Sequence, residues 1–154
     1  MGGRRVRVVE VELSTNCHAT EEPEKVATAL RNLLPPQLRS GASIEEQVLT
    51  GYYGNPIRRM RIRVRGRDAE EVLRHILRSM DDTDREVLFS TLESRFDPRG
   101  SRLYLRVGKQ DAYLGRIRLY DGSDAVRVVA SFAHARNRVD DVRSFLKSLL
   151  GESS

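Results

Sequence analysis

Apolar and charged positions alternate strictly along residues 59–67, at the end of the stretch GYYGNPIRRMRIRVRGR. Met60, Ile62 and Val64 fall in one phase, and Arg59, Arg61, Arg63, Arg65 and Arg67 in the other. Successive side chains of a strand point to opposite sides of a sheet, so the pattern predicts a half-buried β-strand. Residues 4–13, RRVRVVEVEL, predict a first strand, with Val9, Val11 and Leu13 on one face and Val6, Val8, Glu10 and Glu12 on the other. Residues 45–50 predict a short strand paired with the arginine strand as a hairpin through the Gly- and Pro-containing segment 51–56. Three further strands, 102–107, 113–120 and 125–132, lie so close together that an antiparallel meander is expected.

Helical periods fill the gaps. Val26, Leu30, Leu33 and Leu34 form the stripe of a helix entered at residues 20–23, where Pro23 fits the first turn, and Pro35-Pro36 ends it. Asp68 and Glu71 read as a capping box before Val72, Leu73, Ile76, Leu77 and Met80, and Thr83 and Glu86 as a second box before Val87, Leu88 and Leu92. Val142, Phe145, Leu146, Leu149 and Leu150 define a final helix. The order β-α-β-β-α-α-β-β-β-α predicts a single α+β domain over residues 1–154, a mainly antiparallel sheet with helices packed on one face.

Composition narrows the class. Apolar residues make up 39% and charged residues 32% of 154, which excludes a membrane protein and a disordered chain. The N-terminal MGGRRVRVVEVEL lacks the apolar core of a signal peptide, and the lone Cys17 fits a reducing, cytoplasmic setting. The formal net charge is +5, and of 27 basic residues only Lys25, Lys109 and Lys147 are lysines. Arginine suits bidentate phosphate contacts and stacking, although such a bias also arises from adaptation to heat.

The arginine strand carries the sharpest chemistry. Same-face residues of a strand recur at about 6.6–6.8 Å, a spacing that can follow phosphates. Glu10 and Glu12 on a neighbouring strand would neutralise part of the row as cross-strand pairs. Two carboxylates cannot balance five guanidiniums with Arg58 close by, so an anionic partner is expected, RNA ahead of DNA or membrane. Tyr52 and Tyr53 flank the row as stacking candidates, although one of two adjacent tyrosines is expected to pack inward. Lys109, Gln110, Tyr113, Arg116 and Arg118 repeat the basic and aromatic pattern more weakly and would extend the surface if they share the sheet.

Catalysis has little support. Cys17 and His18 are neighbours with no third residue to orient an imidazole, and three scattered histidines have no metal-ligand spacing. Asp81, Asp82, Asp121 and Asp124 are conceivable Mg²⁺ ligands of a nuclease, but Asp is common at helix starts and turns. No metal and no cofactor are expected.

Four blocks carry a resemblance across nearly the whole chain: HATE at 18–21, GYYGNP at 51–56, LYLR at 103–106 and KQDAYLG at 109–115. In this order and spacing they resemble an archaeal family of predicted RNA-binding proteins, also described as predicted exosome subunits. The resemblance implies an α+β fold similar to the large-subunit ribosomal protein that carries the 5S rRNA. It also implies a homodimer, exosome components as partners and no catalytic residues. The resulting expectation is a non-catalytic RNA-binding protein of the archaeal cytoplasm, using Tyr52, Tyr53, Arg58, Arg59, Arg61, Arg63, Arg65, Arg67, Lys109, Gln110, Tyr113, Arg116 and Arg118. The rival is a protein-interaction or dimerisation module in which the arginine strand docks an acidic partner or guards a sheet edge.

Overall fold

The computed structural model describes residues 5–50, 56–135 and 138–151. Tyr52, Tyr53 and the rest of 51–55 lie outside the described residues, as does Arg4 of the expected first strand. The elements in chain order are β1 (Arg7–Cys17), α1 (Pro23–Arg31), α2 (Pro36–Arg39), β2 (Glu45–Thr50), β3 (Pro56–Arg65), α3 (Arg67–Ser79), α4 (Asp82–Ser90), α5 (Leu92–Arg95), β4 (Phe96–Asp97), β5 (Arg102–Gly108), α6 (Lys109–Tyr113), β6 (Ala125–Ala133) and α7 (Val139–Leu149). The six strands form one sheet in the order β2-β3-β1-β6-β5-β4, antiparallel at every pairing. The arginine strand β3 is therefore interior, between β2 and β1, so the edge-guard reading does not apply to it.

One face of the sheet is apolar. Leu13 pairs with Ile62 on one side and Val128 on the other, and Leu105 continues the row beyond Val128. These side chains are buried in one cluster with Ala69, Val72, Leu73, Ile76 and Leu77 of α3 and Val142, Leu146 and Leu149 of α7. The α3 set recurs every three or four residues, the stripe that a helix lays on a core. Each such Leu, Ile or Val contributes about 1.5–3 kcal/mol on burial. Phe132 of β6 meets Phe145 of α7 edge to face at 5.8 Å.

The strand phases differ from expectation at one place. The pairing of β1 with β6 shifts register between Val8 and Glu10. A bulge of this kind inserts one residue, so Val8 and Val11 both turn inward while Val9 is only half-buried. Strict alternation had grouped Val9 with Val11 and Leu13.

Helix starts also differ. The chain leaves β3 through Gly66, at φ 68° and ψ −139°, and its N–H donates to the Val9 carbonyl at 3.0 Å. Asp68 and Glu71 consequently lie inside α3 rather than forming a capping box. The Asp81 carboxylate, not Thr83, caps α4, accepting the Asp84 N–H at 2.8 Å. Pro23 occupies the first turn of α1 as expected, whereas the helix ends before Pro35 and Pro36 opens the short α2.

The largest departure is at 113–120. Lys109–Tyr113 is helical, and Gly115 at φ 82° turns the chain back. The segment then touches β5 through a single bridge, Val107 to Leu119, so the expected three-strand meander is a β5–β6 pair with an edge segment laid alongside. The apolar phase was sound all the same: Ile117 is buried and Leu119 packs on the core.

Gly66→Ala is expected to lower stability by about 1–3 kcal/mol, because the φ and ψ at this position are strained for any residue with a Cβ. Urea unfolding with an unchanged m-value measures it.

Candidate nucleic-acid interface

Alternation that sends Leu13, Ile62, Val128 and Leu105 inward sends every second residue to the opposite face. Four rows cross that face from strand to strand. The first runs Arg65, Glu10, Ser131, Arg102, Asp97, and the second Arg63, Glu12, Val129, Tyr104. The third runs Glu45, Arg61, Ser14, Arg127, Arg106, and the fourth contains Gln47, Arg59 and Asn16. Seven arginines thus share the rows with four carboxylates.

Carboxylates gather at one end. Arg65 Nε donates to Glu10 Oε1 at 3.0 Å and Arg63 Nε to Glu12 Oε1 at 3.1 Å, the cross-strand neutralisation expected for these two glutamates. Arg61 reaches Glu45 at 3.3 Å and Glu12 at 3.9 Å, while its buried Nε has no partner among the described residues. At the other end, Arg59, Arg106 and Arg127 make no ion pair among the described residues. Arg127 lies over the Tyr104 ring at 5.1 Å, and Arg106 Nη2 donates to the Gly122 carbonyl at 2.6 Å. A polar cavity of about 130 Å³ opens between these three side chains, with Ser14, Asn16, His18 and Ser123 also on its wall.

The residues singled out from sequence separate into groups. Arg59, Arg61, Arg63 and Arg65 share the open face. Arg58 pairs with Cys17 and Val48 in the opposite phase, and Arg67 has left the strand for the first turn of α3. The Val107–Leu119 bridge puts Arg118 and Tyr120 in the open-face phase at the β5 edge, where both are exposed. Arg116 lies before that bridge in the turn closed by its N–H to the Asp111 carbonyl. Tyr113 and Gln110 line a separate cavity with Thr20, Lys25 and Val26 beside α1, and Lys25 Nζ stands 6.0 Å from the Tyr113 ring. Arg102, Tyr104, Arg106 and Arg127 were not singled out. The signal for the first three was present in RLYLRVG, which alternates as strictly as the arginine strand, whereas Arg127 stands alone among the mostly apolar residues of AVRVVASFA.

Lys109 is 4% exposed. Its ammonium donates to the Asn16 carbonyl at 2.8 Å and to both Glu21 oxygens at 2.9 Å, and it stands 3.0 Å from Asp124 Oδ1. Glu21 belongs to the HATE turn, where its N–H donates to the His18 carbonyl and its carboxylate accepts the His18 N–H at 3.0 Å. The HATE and KQDAYLG blocks therefore meet through one cation. Burial pushes the Asp124 carboxyl up, but hydrogen bonds from Lys109 and Gln110 and the Lys109 charge outweigh it and hold the group below its ordinary 3.8. Burial and then Glu21 push the Cys17 thiol up, which favours the protonated form over a nucleophilic thiolate. Asp82 pairs with Arg85, and no cluster of metal-ligating residues occurs among the described residues.

Residues 10–132 match a family model described as RNA binding. An uncharacterized protein of Methanocaldococcus jannaschii is 30% identical over 144 residues, covering 92% of this chain and 97% of that one. An RNA-binding protein of Pyrococcus abyssi is 32% identical over 127 residues, covering 80% and 81% respectively. The solved structure of a DUF54 protein from Methanothermobacter thermautotrophicus is similar at a TM-score of 0.70 and 30% identity, covering 90% of this chain and 98% of that one.

Lys109→Ala is expected to lower stability by about 2–4 kcal/mol, since it strands two carboxylates arranged around one charge. A second measurement checks Asp124. A carboxyl whose folded pKa is depressed contributes stability above its unfolded value and loses it as pH falls through the folded one. Asp124→Asn should be less stable than wild type at neutral pH, and the difference should shrink as pH falls below 3.8. Urea midpoints at pH 7 and at about pH 2–3 read this directly.

Proposed function

The chain belongs to the RNA-binding family, and from that premise we propose that it binds RNA, without catalysis, through the open face of its sheet. The observation that carries this is the charge of the four rows, seven arginines against four carboxylates on one continuous surface. Guanidiniums hold phosphate oxygens as planar forks, and Tyr104, half-buried among them, offers a ring on which a base can stack beside Arg127. The ion pairs already present on this face do not cancel its attraction, because exposed pairs of this kind contribute only about 0–1 kcal/mol each and exchange readily. Association with RNA-processing machinery, including exosome components, and a homodimeric state belong to the same proposal; the motif resemblance is what supports them.

A second reading has one observation in its favour. β2 is an outer strand of the sheet, and Val48 on it is 68% exposed. Such an edge suits pairing with another chain, with Glu45 and Glu46 limiting promiscuous contact. Size-exclusion chromatography with and without RNA separates the two readings. A species, monomer or dimer, whose elution shifts when RNA is added supports the first, and an oligomer that RNA leaves unshifted supports the second.

Replacing Arg61 and Arg63 together by Ala is expected to weaken RNA binding and to reduce the slope of log K against log salt by about 1.4–1.8, the effect of two lost phosphate contacts. Arg58→Ala, on the opposite phase, should change neither quantity appreciably. Fluorescence anisotropy over a salt series measures both. An unchanged slope in the folded double variant would remove RNA from this face.

A further inference from the structure

We propose that the cavity between Arg59, Arg106 and Arg127 is a built site for one phosphate group, and that it anchors the RNA strand on the open face. Arg106 and Arg127 stand directly opposite each other on β5 and β6. Like charges in that position are destabilising unless something anionic lies between them. The same sheet supplies a carboxylate to Arg61, Arg63 and Arg65 and none to these three among the described residues. Of the acidic groups in the adjoining segments, Asp124 and Glu21 are turned onto Lys109, and Asp121 lines a different cavity with Tyr104, Arg106 and Arg127 without an ion pair to either arginine; none of the three is on the wall of this cavity.

What holds the two strand arginines leaves their donors available. Arg106 uses one N–H on the Gly122 carbonyl, and a cation–π contact with Tyr104 fixes Arg127 without consuming any. Ser14, Ser123 and Asn16 add hydroxyl and amide donors on the same wall. A set made only of cations and neutral donors matches a group made only of acceptor oxygens. Size agrees with this. The cavity, about 130 Å³, holds several times the ~30 Å³ share of one water. It falls short of the ~300 Å³ at which sites for whole small molecules begin. A tetrahedral oxyanion fits, while the base and ribose it belongs to must lie outside, over Tyr104 or along the rows. The anchoring role rests on the RNA-binding proposal; the phosphate site itself does not.

The test uses the full chain, isotope-labelled and titrated with inorganic phosphate. Saturable amide shifts at Ser14, Ser123 and Arg127 are expected in the wild type and absent in R59Q/R127Q, with a Kd on the order of millimolar. R63Q/R65Q removes the same charge two rows away and should keep those shifts. Both variants are then compared for binding to one single-stranded RNA bearing a 5′-phosphate, a 3′-phosphate or neither. R59Q/R127Q is expected to lose at least tenfold more affinity than R63Q/R65Q. Equal wild-type affinity for the three RNAs identifies an internal phosphodiester as the occupant, and a preference for one phosphorylated end identifies a terminal phosphate. Absent phosphate shifts, or shifts that survive in R59Q/R127Q, would overturn the site. Shifts present in a protein that binds none of the RNAs would keep the site and overturn RNA binding. Equal losses in the two variants would keep RNA binding and overturn the anchor.

Discussion

One buried ammonium ties this fold together at the end of the sheet that carries Arg59, Arg106 and Arg127. Lys109, at the start of α6, joins the end of β1 and the HATE turn that follows it to the segment entering β6, stretches of chain far apart in sequence. Taking a cation out of water costs several kcal/mol unless it is paired and hydrogen-bonded, and here every donor direction is used. That requirement fixes where Asp124 and Glu21 point. It also fixes the segment 121–124, whose Gly122 carbonyl and Ser123 side chain face Arg106 and the cavity. The geometry of the basic face at this end is therefore set by a group that does not itself belong to the face.

The rest of the site follows from period-two alternation in an antiparallel sheet with one covered side. Once β1, β3, β5 and β6 each commit their apolar phase to the core, their other phase has no choice but to share the open side. The hydrophobic core thus gathers the arginines, although no arginine contributes to it. The ion pairs with Glu10, Glu12 and Glu45 trim the field of this surface and add little to stability.

Much of this was written in local sequence. Alternation around Met60 and Ile62 located the arginine strand and its exposed phase, and the pairing of Glu10 and Glu12 against it followed from simple cross-strand chemistry. The spacing of α3 and α7 gave their buried stripes. Strand order was not legible, because it depends on contacts between residues far apart in the chain. Without β6 inserted between β1 and β5, nothing placed Arg127 and Arg106 beside Ser14. The Val8–Glu10 bulge and the turn at Gly66 were also hidden, since each changes the phase of a pattern by one or two residues without altering composition. Lys109 misled for a related reason: a lysine next to a loop looks solvent-exposed until the carboxylates that enclose it are brought in from positions 21 and 124.

The uneven placement of carboxylates gives the open face an electrical direction. Carboxylates offset the charge of Arg61, Arg63 and Arg65, whereas Arg59, Arg106 and Arg127 make no ion pair among the described residues, so uncompensated positive charge is graded across the face rather than spread evenly. A polyanion approaching such a surface would feel a torque as well as an attraction. On the RNA-binding proposal, such a chain would be drawn toward the Arg59, Arg106 and Arg127 end before any specific contact forms, which biases its position on the face and not its chain polarity. A symmetric array of seven arginines would attract as strongly, but it would favour neither end.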